Sequence, residues 1–267
     1  LRTGIVLYGF KLTFQSVIDI GGAALLIDLI VVSLTILLGA GLGRLLKMDR
    51  DTALLTSIGS SICGAAAVLG AEPVVKSKPY KAAVAVSTVV IFGTLSMFLY
   101  PALYRAGMLN LTTEQMGLFT GATLHEAAHV VGAGNAMGQA ISDPAIIVKM
   151  IRVMMLAPVL VILSIILARR DSAAGGNSEK RKITIPWFAF LFLAVIGFNS
   201  LHLLPAELVD AINTLDTFLL TMAMTALGAE SSFEKFKKAG ARPFLLAGLL
   251  YVWLFFGGYW LVKLISF

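Results

Sequence analysis

Apolar residues run almost unbroken over residues 23–43, 82–103, 144–168, 184–203, 208–229 and 243–265. Each run has about the 17 to 25 residues that a helix needs to cross a bilayer. Lipid offers no partner to an unpaired peptide group, so these runs are predicted to be helices and the chain an all-α polytopic membrane protein. The opening run from Arg2 to Phe14 is too short to span alone and reads as a helix cut at its start, in a chain that begins at Leu1 inside a longer protein and lacks N-terminal helices. Two further stretches, 52–75 and 114–138, are apolar but rich in Gly, Ser, Thr and His. They are predicted as two discontinuous helical segments, broken or re-entrant.

Composition agrees with the pattern. Of 267 residues, 58% are hydrophobic and 13% charged, and the mean hydropathy is +0.89. Soluble chains carry roughly 25% charged residues. The net charge of +6 would suit nucleic acid if it lined one polar face, but the basic residues sit in short connections, so no nucleic-acid partner is expected. The most polar connection, RRDSAAGGNSEKRK at 169–182, defines a loop at 169–183, and EKFKKAGAR follows at 234–242. The positive-inside rule puts both in the cytoplasm and Glu207 and Asp210 outside. Lys76, Lys78 and Lys81 then return to the cytoplasm if each Gly-rich stretch enters and leaves on one side, or if an equivalent break changes the parity. The single Cys63 excludes a disulfide framework or a Cys cluster. No phosphate-binding loop or dinucleotide fingerprint is present, so no cofactor and no catalytic activity are expected.

The Gly-rich stretches repeat each other. GSSICGAAAVLGA at 59–71 and GATLHEAAHVVGA at 121–133 share six identities in thirteen, with Cys63 aligned to His125. The chain therefore reads as one domain over 1–267 with an internal repeat, 52–103 and 114–168. Under the charge-based topology the copies enter from opposite sides, as inverted repeats.

Candidate chemistry lies in these copies. A helix restarting near Ser60 or Ser61, beside Cys63 and Gly64, would present free N–H groups and a positive dipole end to an anion. The second copy would restart at Thr123 with His125 and Glu126 in its first turn. Close packing of small residues explains the same pattern without a ligand. Lys149 and Arg152 share a helix face within the run from Pro144. Charges at that depth line a polar path or are paired, with Glu126 the natural protein partner; snorkelling to the interface is the alternative. Asn199 is a weaker candidate, open to interhelical hydrogen bonding. His125-Glu126-x-x-His129 also fits the zinc-protease pattern, with the two histidines as metal ligands, though no third ligand is marked.

The segments LRTGIVLYGF at the start, GSSICGAAAV at Gly59, TLHEAAHVVGAG at Thr123 and VKMIRVMMLAP at Val148 resemble those of the YeiH-like integral membrane proteins, a family labelled as sulfate exporters. The resemblance runs through the whole chain. It implies a multi-pass protein of the bacterial inner (plasma) membrane, distantly similar to bile-acid symporters and sodium/proton antiporters, whose broken helices cross near the membrane centre. Family members are longer at the N-terminus.

Together these features point to a secondary transporter, an exporter, of a small anion such as sulfate, sulfite or a related sulfur oxyanion. Ser60, Ser61, Cys63, Gly64, Thr123, His125, Glu126, Lys149, Arg152 and Asn199 would bind the substrate, and His125 or Glu126 would carry a coupling proton, with sodium the other candidate ion. The lipid bilayer is the environment, and association into a homo-oligomer is compatible with such folds. The alternatives are an intramembrane zinc metalloprotease and a non-transporting membrane scaffold or sensor.

Overall fold

The computed structural model describes residues 2–11, 13–15, 22–173, 187–230 and 240–265, and these are helices and turns with no strand among them. A short helix α1 (Arg2–Leu7) and a 3-10 turn (Tyr8–Lys11) precede α2 (Gly22–Leu45), α3 (Arg50–Ser61), α4 (Ala65–Val75) and α5 (Pro79–Arg105). Then follow α6 (Thr113–Thr123), α7 (Ala127–Met137), α8 (Gln139–Met154), α9 (Leu156–Ala173), α10 (Trp187–Ser200), α11 (Ala206–Glu230) and α12 (Arg242–Ile265). Among the described residues, four stretches are long and apolar enough to cross a membrane: α2, α5, α12 and the 31-residue run Gln139–Arg169, which joins α8 to α9 across Met155. The run expected from Pro144 thus begins at Gln139, with Pro144 inside the helix. Beyond Ala173, the basic loop at 169–183 lies outside the described residues, as does most of the 234–242 connection.

Lipid-facing chemistry explains why these helices have no polar face. Leu37, Phe98, Phe218 and Phe256 are exposed, whereas Asp28, His125, Lys149 and Arg152 are wholly buried. Polar groups face inward because hydrocarbon penalises an exposed charge by several kcal/mol.

The two Gly-rich stretches form helical hairpins. Asp49 caps α3 by accepting from the Thr52 amide at 3.1 Å, and Lys81, in the first turn of α5, lies 2.7 Å from both Asp49 and Asp51. The chain therefore returns at residue 81 to the place where α3 began. Helices of 12 and 11 residues, each about 17 Å long at 1.5 Å per residue, run in and back out. A β-carbon on Gly59 would meet the Val68 side chain at 2.6 Å, although nine residues of continuous helix would hold the two about 13 Å apart. At the other end of α5, Arg105 donates to the Ala136 carbonyl at 2.7 Å. The α6–α7 stretch thus also starts and ends at one place. Side-chain ties close the base of each stretch, so each forms a re-entrant hairpin.

α5 is the common reference. Its 27 residues extend about 40 Å, with one hairpin based at each end. Val89 packs against Gly59 and Gly64, and Gly93 against the ring of His129 and the β-carbon of His125, so both tips reach the middle of α5. α2 packs along α3, where a β-carbon on Gly39 would overlap the Ser57 hydroxyl and one on Gly43 the Ala53 methyl. α1 and the 3-10 turn pack on α10 and α11 at the side.

Two outcomes test this packing. Gly39→Val should destabilise the purified protein by about 1–3 kcal/mol through overpacking, whereas Gly41→Val, whose β-carbon meets nothing within 4 Å, should leave the melting temperature near wild type. At the hairpin base, partial burial opposes charge on Asp49, but hydrogen bonds from Lys81 and Thr52 outweigh it and hold the carboxyl below its ordinary value. A depressed carboxylate stabilises above its unfolded pKa and loses that stabilisation as pH falls through the folded one. Thermal melts at falling pH should therefore show a shallower acid-side decline in Lys81→Met than in wild type.

Candidate functional site

α3 ends at Ser61 and α4 begins at Ala65; α6 ends at Thr123 and α7 begins at Ala127. These boundaries are equivalent in the aligned repeat. The helices do not restart at Ser60, Ser61 or Thr123 as the sequence suggested. Ser61 donates back to the Ile58 carbonyl at 3.0 Å and Thr123 to the Phe119 carbonyl at 2.6 Å, bonds that a helix accommodates in its last turn. The first break is set by Gly64 at φ +73°, and the second by extended Leu124 and Glu126. His125 and Glu126 consequently precede α7 instead of lying in its first turn.

The tips thus present two C-terminal helix ends, whose last carbonyls have no intrahelical partner and carry the negative end of the dipole. Lys149 and Arg152, both wholly buried, answer them from α8. Lys149 Nζ donates to the Ile62 and Leu124 carbonyls at 2.7 Å each, joining the two breaks at equivalent residues. Arg152 donates from Nε to Ser61 O at 3.2 Å, from Nη1 to Leu124 O at 3.4 Å and from Nη2 to Ala122 O. Snorkelling is overturned: Lys149 lies about 15 Å along α8, enclosed by protein.

The acidic partner of these cations is Asp28 of α2, whose Oδ1 lies 3.6 Å from Arg152 Nε. Sequence reasoning passed over it inside the 23–43 run, although an acid within an apolar span is itself a signal. Glu126, the expected partner, turns elsewhere. Its Oε1 accepts the Ala65 amide at 3.1 Å, and its Oε2 is 3.9 Å from His129 Nδ1. The second hairpin thereby caps the return helix of the first. Gly64 permits this, since a β-carbon there would collide with the Glu126 side chain and Val89.

The remaining candidates divide. Ser60, Cys63 and His125 are buried near the tips; the Ser60 hydroxyl and both ring nitrogens of His125 have no hydrogen-bond partner among the described residues. Thr123 also pairs with the Tyr100 hydroxyl at 2.9 Å. Asn199 is used elsewhere, donating to the Phe10 carbonyl at 2.9 Å. His125 and His129 do not share a helix face, because α7 begins after His125, and His129 Nε2 sits 3.4 Å from Thr94 Oγ1. No group of three metal-ligating side chains occurs among the described residues.

Replacing Lys149 by Met would leave the Ile62 carbonyl with no side-chain donor among the described residues. Lys149→Met should therefore lower stability by on the order of 3 kcal/mol, the scale of two charge-assisted hydrogen bonds lost from a buried site, as measured by denaturation of the protein in detergent.

Residues 1–247 match the protein family described as "Conserved hypothetical protein 698". A UPF0324 membrane protein of Bacteroides thetaiotaomicron is 67% identical over 267 residues, covering 100% of this chain and 80% of the relative. The UPF0324 inner membrane protein YeiH of Escherichia coli strain K12 is 52% identical over 260 residues, 97% of this chain and 74% of the relative. A UPF0324 membrane protein of Bordetella bronchiseptica is 50% identical over 266 residues, 99% of this chain and 82% of the relative. No solved structure matches. With these relatives and its apolar spanning helices, the chain belongs to the UPF0324 family, the YeiH-like multi-pass proteins of the bacterial inner membrane.

Proposed function

We propose that this protein is a secondary transporter of a small anion, with sulfate, sulfite and related sulfur oxyanions as the substrate class. The observation that carries the reading is the pair Lys149 and Arg152, wholly buried where two half-length hairpins based at opposite ends of α5 meet. Intramembrane charges at such helix breaks mark substrate and ion paths. The pair is only partly consumed by the protein. An ammonium has three donors, and Lys149 spends two on carbonyls.

The anion enters this scheme as a competitor of Glu126. The Ala65 amide at the start of α4 is held by a carboxylate of the chain itself, which is the chemistry an oxyanion brings to a helix N-terminus. Displacing or neutralising Glu126 opens that donor, while Lys149 and Arg152 supply positive charge and the Ser60 hydroxyl and His125 imidazole supply neutral polar contacts. Access alternates through the two hairpins, which act as inverted copies on opposite sides of the membrane. Inward-facing Asp28, Lys149 and Arg152 keep charge away from lipid in either state. The scheme contains no bond-making step and no cofactor. A zinc protease has less support, since His125 lies ahead of α7 and outside the helical spacing that the motif needs.

The test is stabilisation and flux. Purified protein should show a melting temperature that rises with the concentration of one oxyanion among sulfate, sulfite, thiosulfate, sulfonates and phosphate. In proteoliposomes Arg152→Lys should retain the fold but transport that anion at least about tenfold more slowly, equivalent to some 1.4 kcal/mol of lost interaction. Absence of stabilisation by every anion, together with unchanged flux in the variant, would remove the transport reading.

A further inference from the structure

Asp28 makes no contact with the anion in the proposed transport cycle, yet it is a buried acid beside the cation that would hold the anion. It lies about two turns into the spanning helix α2, is 0% exposed, and neither carboxyl oxygen has a hydrogen-bond partner among the described residues. Its contact with Arg152 is an ion pair 3.6 Å long, without hydrogen-bond geometry. The guanidinium points its shorter bonds at the carbonyls of Ser61 and Ala122. A carboxylate committed to a structural role would have hydrogen bonds on its oxygens, because an unpaired buried acceptor costs free energy. Arg152 and Lys149, both from α8, are the charged groups that act on it. The other helices packed on α2, namely α3, α6 and α12, add none among the described residues.

We propose that Asp28 is the group that takes up the coupling proton. One proton adds to a carboxylate oxygen, giving a neutral acid with its own O–H donor. Arg152 then loses its counter-charge, and the buried cluster changes from two cations against one acid to two cations alone. An anion restores the balance at Lys149 and Arg152, so proton and anion are bound together. When the anion leaves, Arg152 again favours the charged carboxylate and the proton is released. Glu126 acts at a different place, on the Ala65 amide, and its side chain is 22% exposed; it opens the anion position without setting the charge of the buried pair.

This inference rests on the transport reading for its consequence, and the test separates the two. Infrared difference spectra of the reconstituted protein, recorded between acid and alkaline pH, should contain the carbonyl-stretch band of a protonated carboxyl. The band should vanish in Asp28→Asn and persist in Glu126→Gln. Should Asp28→Asn fail to fold, Asp28→Glu should fold and shift the band. Where an oxyanion stabilises the wild type, its apparent affinity should strengthen about tenfold per pH unit on acidification above the titration of Asp28, one proton per anion, and should be flat with pH in Asp28→Asn. A wild-type protein without the band, or a band and pH slope unchanged in Asp28→Asn, would overturn the assignment. No anion response at any pH, with the Asp28 band present, would defeat the transport reading and leave Asp28 as a proton-exchanging group.

Discussion

A helix that stops inside a membrane must find partners for its last carbonyls without water, and the architecture follows from how that is done. Two hairpins stop at the middle of α5, and each tip joins the C-terminal end of its ingoing helix to the N-terminal end of its return helix. The two C-terminal ends meet there, where like partial charges would repel and free carbonyls would each be costly. Lys149 and Arg152 remove both difficulties, since one ammonium joins Ile62 to Leu124 and one guanidinium ties Ser61 to Ala122 and Leu124. Their burial is the reason the tips can touch.

The cations need support of their own, which ties the rest of the core to the tips. α8 holds them in place by packing on α6 and α7, with Gly117 and Gly121 leaving room for Pro144 and Val148. α2 brings Asp28 against Arg152 while its Gly39 and Gly43 let it lie close on α3. Exposed Leu and Phe side chains on α2, α5 and α12 face the hydrocarbon.

Much of this was legible in the sequence. Length and hydropathy sufficed for the all-α membrane class, and the repeat at 59–71 and 121–133 located both helix breaks. Lys149 and Arg152 stood out because charge is rare in such a run. What failed was the polarity of the breaks. Ser60, Ser61 and Thr123 resemble helix starts, since Ser and Thr favour N-caps, but the hydroxyls of Ser61 and Thr123 bond back to a carbonyl in a last turn, and only the backbone decides between these uses. The positions that decide are Gly64, Leu124 and Glu126. Asp28 was hidden for a different reason: a single acid scarcely alters the mean hydropathy of a 24-residue helix, and its partner is 124 residues away in the chain. Glu126 was assigned to the nearest cations, whereas a peptide N–H across the tips had the better geometry.

The match between the two breaks is one of backbone, and the side chains depart from it at several positions, Gly64 opposite Glu126 among them. Gly64 and Glu126 are equivalent in the repeat, yet one has no side chain and the other carries a carboxylate that reaches across to the opposite copy. Exchanging the two ends of the molecule would therefore leave the outline of the centre nearly the same and reverse its chemistry. The direction of α5 distinguishes the hairpin tipped with glycine from the one tipped with an acid, so the molecule has an intrinsic front and back, set by side chains that differ between two tips of similar backbone outline.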